Sequence, residues 1–344
     1  MPRKFSLRAL APVMGVLLIL VSLFSLSWGQ FDISFVQVLS SLAHAAGLPV
    51  LTDVAVTPEQ EAVLWHIRFP RTFVGLMVGA SLGASGTVMQ GIFSNPLADP
   101  GIIGVSSGAA VGAVIAISLG LSEESMFFLP MFAFLGSLAA VSLTVMLSMR
   151  HGKIPVMMLL LAGVVVGMLL GAITAGILTV ISEQKMQQYL FWTIGSLDYR
   201  RWEHVLLGVG PISIGLAVML FMARHLNILV LGDVEARAVG MPVTRYRLIL
   251  LAVASMTTAT GVCISGNIGF VGLIVPHMMR MIVGPDHRRL LPASILAGGM
   301  LLVFCDTLGR IVLDPIEIRV GIMTALLGTP YFLYLLRKNR RMLS

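Results

Sequence analysis

Charge is what this sequence has least of. Asp, Glu, Lys and Arg make up only 11% of its 344 residues, against roughly a quarter in an ordinary soluble domain, and that shortage excludes a soluble fold. Cysteine is nearly absent: Cys263 and Cys305 both lie in apolar stretches, with no spacing that suggests a disulfide or a metal site. No apolar run contains an HExxH pattern or a pair of catalytic carboxylates, and no G-x-x-x-x-G-K-[ST] loop occurs anywhere. The chain therefore carries no sign of a catalytic metal or cofactor and does not bind ATP through a Walker loop. If ATP powers it, another chain hydrolyses it.

What is abundant is apolar, at 57% of all residues. A hydrocarbon core about 30 Å thick needs roughly 20 such residues per helix. Runs of that kind recur at 9–29, 60–91, 101–119, 126–149, 156–181, 203–222, 245–265, 268–283, 289–310 and 320–337. They lack the two-residue alternation of barrel strands, and in lipid only helices or closed barrels satisfy their own backbone groups. The expected fold is thus an all-α polytopic bundle of about ten transmembrane helices, one domain over residues 1–344. The first run follows Arg3, Lys4 and Arg8 with no small-residue cleavage site after it, and reads as an uncleaved span.

A net charge of +7 raises nucleic acid as a partner, but the basic residues fall in short clusters between apolar runs. Membrane orientation explains that better. With the N-terminus inside, one side holds Arg3, Lys4, Arg8, Arg150, Lys153, Arg224, Arg237, Arg245, Arg247, Arg288, Arg289, Arg337, Lys338, Arg340 and Arg341. The other holds Arg68, Arg71, Lys185, Arg200, Arg201, Arg310 and Arg319, with Arg280 unassigned. This bias places both termini in the cytoplasm.

Local signals add detail. Thr57-Pro58-Glu59-Gln60 forms a capping box with proline at the first helical position, which puts Arg68 and Arg71 at an outer helix end as exposed cations that snorkel or meet an acidic partner. Asp99 is placed to cap a helix starting at Pro100. Gly75, Gly79 and Gly83, and Gly104, Gly108 and Gly112, form stripes that let helices approach closely. Asp306 and Arg310, four apart, fit one helical turn. Gly104-Val-Ser-Ser-Gly108 matches the G-x-S-x-G nucleophile pattern but lies in a membrane helix instead of a strand-to-helix turn. Gly86–Gly91 and Gly261–Gly266 make a weak repeat, and because these segments begin an odd number of spans apart, the repeat is inverted.

The loop from Asn227 to Gly240 reads as a short cytoplasmic helix. Asp233 is expected to cap it, Glu235 to complement its dipole, and Gly240 to end it in a left-handed conformation. With the apolar residues Ile228 to Leu231 beside it, this segment is a candidate docking surface for a soluble protein.

Together, Arg68-Phe-Pro-Arg71, Asn95-Pro-Leu-Ala-Asp-Pro-Gly101 with the run to Ala109, Phe191-Trp-Thr-Ile-Gly-Ser196, Leu231 to Gly240, and Gly269-Phe-Val-Gly-Leu-Ile-Val-Pro-His-Met-Met-Arg280 resemble the membrane permeases of binding-protein-dependent ABC importers for iron-siderophores, haem and cobalamin, the FecCD type. The resemblance covers nearly the whole chain. It implies a type II importer permease in a bacterial inner membrane, paired with a second copy of itself, with two ATP-binding cassette subunits below and a periplasmic or lipid-anchored binding protein above. By position it implies docking to the binding protein through Arg68, Arg71 and Arg310, and an ATPase coupling loop at about 223–244 that includes Leu231, Gly232, Asp233, Glu235, Ala236, Arg237 and Gly240. It further implies a cytoplasmic gate at Val156 and Met157 and a path lined by Leu159, Gly163 and Gly167. Arg319 stands where the family often has proline, and is a candidate for docking or for contact with an anionic ligand. The expected cargo is siderophore-bound iron or haem, with cobalamin as the alternative. The rivals from other classes are an ion-coupled secondary transporter and an intramembrane serine enzyme.

Overall fold

The computed structural model describes residues 7–48, 54–313 and 315–343; Arg3 and Lys4, which weighed in the charge bias, lie outside them. Among the described residues the chain is helical throughout: α1 Leu7–Ser27, α2 Phe35–Ala45, α3 Pro58–Val63, α4 Phe69–Phe93, α5 Val105–Ser118, α6 Leu121–Glu124, α7 Phe128–Ser148, α8 Val156–Leu178, α9 Glu183–Ile194, α10 Trp202–Phe221, α11 Ala223–Leu229, α12 Asp233–Ala238, α13 Val243–Ser265, α14 Val271–Val283, α15 His287–Ile311 and α16 Val320–Leu343. Among the described residues, seven helices are long and apolar enough to cross a membrane. Two expected spans are shorter than 30 Å: α5 has 14 residues and α14 has 13, which at 1.5 Å per residue reach about 20 Å. Each is preceded by non-α-helical backbone, a 3₁₀ turn at Pro100–Ile103 before α5 and the irregular residues 266–270, with positive φ at Gly266 and Phe270, before α14.

The ends follow the charge bias and are called outer (Arg71) and inner (Arg247) here. Helix α4 begins as expected: Thr57 accepts from the Gln60 amide with Gln60 returning to the Thr57 amide, and a π-helical turn at Leu64–Arg68 then joins α3 to α4. At its other end Asp99 caps the 3₁₀ turn by accepting from the Gly101 amide at 2.7 Å. The apolar runs hid α2, α9 and α11, short helices lying between spans.

Core packing is built on small residues. A Cβ on Gly79 would overlap the Gly298 carbonyl of α15, and one on Gly83 would overlap the Ser294 carbonyl. Gly108 and Gly112 meet the backbone of α7 in the same way. Without water to drive association, such close backbone approach is what holds helices together in lipid. Helices α4 and α13 run antiparallel: Ser85 donates to the Ala254 carbonyl at 3.0 Å, while Gly261 sits beside Ser81. That crossing fits the inverted repeat.

Candidate functional site

At the outer end, three arginines converge around the end of α1. Arg68 donates to the carbonyls of Leu26 at 2.6 Å, Ser27 at 2.8 Å and Phe31. Arg310 donates to Trp28 and Ser25 carbonyls, both at 3.1 Å, and to Ser25 Oγ at 2.7 Å. The last carbonyls of a helix have no partner within it and carry its negative dipole end, so two guanidinium groups supply both the missing donors and the opposite charge. Arg71 lies beside them and binds three carboxylates: Asp306, with Nε–Oδ2 and Nη2–Oδ1 both 2.9 Å, Glu317 at 2.8 Å and Asp198 at 2.8 Å. Asp306 also pairs with Arg310 at 3.4 Å, the one-turn pair expected from spacing.

The exposure expected of Arg68, Arg71 and Arg310 is therefore corrected: the three are 4%, 7% and 5% exposed. Burying a guanidinium in a membrane is tolerated when it is paired and hydrogen-bonded, and here α1, α15 and the loops carrying Asp198 and Glu317 supply the partners. Sequence spacing placed the arginines at the right helix end but could not show that α1 ends against them. Arg319 differs. It is half-buried, donates to the Phe191 carbonyl at 2.9 Å and stacks 4.2 Å over the Phe191 ring. In the outer loops, burial pushes the Asp198 carboxyl up, but Arg71 pulls it below the usual carboxylate range; for Glu317 burial outweighs Arg71 and the group is held up.

At the inner end, Gly232 and not Asp233 is the N-cap of α12. Its φ of +115° is open to glycine, and Asp233, the first helical residue, makes no side-chain cap. Asp233 is drawn instead to Arg247 of α13 at 2.5 Å and to Arg237 at 3.5 Å. Gly240 does take the left-handed conformation, with φ +80°. Ala236 faces the core, while Leu231, Val234 and Val239 are 66%, 76% and 68% exposed. Glu235 and Arg237 are exposed beside them. On the other flank Asn227 of α11 donates to Asp286 at 2.6 Å and accepts from the His287 amide at 2.9 Å. Asp286 caps α15. The short α11–α12 segment is thus tied to α13 on one side and α15 on the other.

The expected path residues lie on different faces of α8. On α8, Leu159 is fully buried and a Cβ on Gly163 would strike the Ile102 carbonyl, so both pack against the 3₁₀ turn before α5; Gly167 is half-buried near Ser107. The free face of α8 is Met157, Leu161, Val164, Val165 and Met168, all exposed, with Val156 half-buried. Ser106 of the G-x-S-x-G match donates to Asn267 Oδ1 at 3.0 Å, a hydrogen bond that ties α5 to the irregular segment before α14.

Comparisons agree on the family. Residues 17–338 match the FecCD transport family. The chain is 46% identical over 297 residues to a cobalamin import system permease protein of Halobacterium salinarum, covering 86% of this chain and 78% of that one. It is 40% identical over 337 residues to the hemin transport system permease protein of Yersinia pestis, covering 96% and 95%. A solved metal-chelate type ABC transporter in an inward-facing conformation superposes with a TM-score of 0.85 at 32% identity, over 96% of this chain and 99% of that one. With a helical membrane bundle, an apolar patch on a tied loop and these likenesses, the chain belongs to the FecCD transport family as a membrane permease of ABC importers.

Proposed function

We propose that this chain forms, with a second copy of itself, the translocation path of an ATP-driven importer in a bacterial inner membrane, carrying an iron chelate: siderophore-bound iron or haem. The observation that carries the reading is the inner loop. Exposed Leu231, Val234 and Val239 on a segment outside the spans make an apolar patch of the kind that covers itself with another protein, and the ties through Asp233–Arg247 and Asn227–Asp286 pass any push on it to α13 and α15. Helix α15 reaches from that tie to Asp306 and Arg310 at the outer end. It is a rigid rod with contacts at both ends, suited to a two-state switch driven from below by two ATPase subunits. ATP hydrolysis belongs to those subunits, and the cargo undergoes no covalent change.

A binding protein above would meet the outer loops through Arg319 and the neighbouring Arg201, with the buried Arg68, Arg71 and Arg310 shaping the surface it meets. The gate and path are assigned to the free face of α8, from Val156 and Met157 to Met168. The iron-chelate reading draws on the hemin and metal-chelate relatives, which cover nearly all of both chains; several cobalamin relatives, one at higher identity over a shorter stretch, keep cobalamin as the second reading. The deciding experiment is uptake by proteoliposomes holding the chain, its ATPase and its binding protein. ATP-dependent accumulation of haemin or an iron-siderophore is the expected result. Accumulation of cyanocobalamin alone would select the second reading, and uptake that persists without the ATPase would select an ion-coupled transporter.

A further inference from the structure

Beside the arginine network, between the outer ends of α7, α9, α10 and α13, lies a cavity of about 520 Å³, within the range of small-molecule sites. Its wall is unusual in this apolar chain. Arg200, Arg201, Arg319 and His204 line it together with Phe191 and Trp192. Asp198 also lines it, but that carboxylate is held by Arg71 at 2.8 Å, so the cavity keeps a positive excess.

The hydrogen bonds point the same way. His204 Nδ1 accepts from the Arg201 amide at 3.2 Å, which places the proton of the neutral ring on Nε2. Arg200 Nη1 lies 3.4 Å from that Nε2. Both are then donors, facing each other with nothing to accept from either. Two more donors on lining residues, Arg200 Nε and Trp192 Nε1, have no partner. Buried donors of this kind are costly unless satisfied. Burial also holds the Arg200 guanidinium down at about 10, a cost that a negative charge alongside would offset.

We propose that this cavity binds an organic anion, with a carboxylate received between Arg200 and His204 and a flat apolar body laid against Trp192 and Phe191. The proposal deepens the importer reading by giving its cargo a chemistry, a carboxylate-bearing chelate that stops at the outer mouth, and so rests on that reading for its biological sense. Arg319, stacked on Phe191, closes the apolar wall and adds charge at the rim.

Protoporphyrin IX and its dimethyl ester share one apolar body and differ only in charge, so their binding to the purified full chain in maltoside detergent, followed by tryptophan quenching, isolates the anion contact. The free acid should bind about tenfold more tightly than the ester, the size of one or two charge-assisted hydrogen bonds. Arg200→Gln should erase that preference and Arg200→Lys should keep part of it. Arg319→Gln, at a half-buried position that does not endanger folding, should reduce it about threefold. Equal affinities for acid and ester in the unmodified chain, or a preference unchanged in both glutamine variants, overturns the site. Displacement of the porphyrin by phosphatidylglycerol also overturns it, in favour of a lipid phosphate. ATP-driven uptake is measured on the same variants. Uptake without any acid preference sinks the anion site and leaves the importer; an acid preference without ATP-driven uptake does the reverse.

Discussion

Helices α4 and α8 are both long and apolar, yet their surroundings are opposite. In the most apolar stretch of the Pro58–Phe93 helix 83% of residues are buried, against 17% in α8, although α8 is the more hydrophobic of the two. In water that order would be reversed. In lipid, leucine and methionine gain nothing by leaving hydrocarbon, whereas glycine and serine let backbones touch. Helix α4 has Gly75, Gly79, Gly83, Gly86 and Gly91 and is buried along nearly its whole length. Helix α8 presents Met157, Leu161, Val165 and Met168 outward. The packed helix is the scaffold, and the open one is the surface left for a second copy, a path or lipid.

The largest break in that contrast comes from taking away the charge that locks α4 to α15. Asp306→Ala leaves Arg71 and Arg310 without their shared carboxylate, 3% exposed in the intact chain, and should cost about 3–5 kcal/mol in thermal unfolding of the chain in nanodiscs. Asp306→Glu, which keeps the charge, should recover part of it. A loss within experimental error of zero would mean that the network does not hold these helices together.

Next in size is one substitution made on both helices. Gly79→Leu forces side-chain atoms into the Gly298 backbone and should destabilise by about 1–3 kcal/mol or more, because neither helix backbone can give way. Gly171→Leu on α8, where nothing lies within 4 Å, should leave stability within about 0.5 kcal/mol of the parent. Equal losses at the two positions would erase the distinction drawn between the helices.

A third measurement asks what covers α8. Met157→Cys and Met168→Cys replace exposed side chains and should change stability by less than about 0.5 kcal/mol. If the free face belongs to the path between two copies, oxidation should yield a covalent dimer. Cys263 and Cys305 are buried and should not contribute one. Cysteines at these positions that remain monomeric and react only with lipid-soluble reagents would assign the face to lipid and leave the path elsewhere.

Much of this contrast was legible in the sequence, and the part that was not has a physical cause. Hydrophobic run length located the spans, and Thr57, Asp99 and Gly240 marked their turns through backbone chemistry that acts within a few residues. The Gly79 and Gly83 stripe showed that α4 approaches another helix closely. What local pattern could not show was the partner at a distance. Arg68 satisfies carbonyls about forty positions earlier and Arg71 binds Asp306, 235 positions later, so their burial depends on tertiary contacts that spacing does not encode. Which face of α8 packs is hidden for a similar reason: the helix is apolar all round, and periodicity gives no sign of it. Asp233 went to the wrong role because Arg247, fourteen residues on, outcompetes the backbone for its carboxylate.

That last contact carries the smallest expected effect, where the packed helix α13 leaves the bundle and meets the loop. The hydrogen bond from Arg247 holds the Asp233 carboxyl below the usual carboxylate range, with burial opposing and the charges of Arg247 and Arg237 assisting. An unfolded Asp titrates near 3.9, so the stabilisation is fully present above about that pH and is lost as pH falls through the lowered folded value. Because the Asp233 side chain is 41% exposed, the tie is screened and is worth under about 1 kcal/mol. Hydrogen exchange at the α12 amides, corrected for intrinsic rates, should therefore stay level from pH 8 to about 5 and quicken only below about 4. Asp233→Asn should quicken it above about pH 4, by no more than about fivefold, with the difference from the parent vanishing as the parent's carboxyl protonates, and leave exchange in α4 unchanged. Quickening in α4 to the same extent would mean that the loop and the packed scaffold open as one unit, and the division between a rigid core and a separately moved loop would fail.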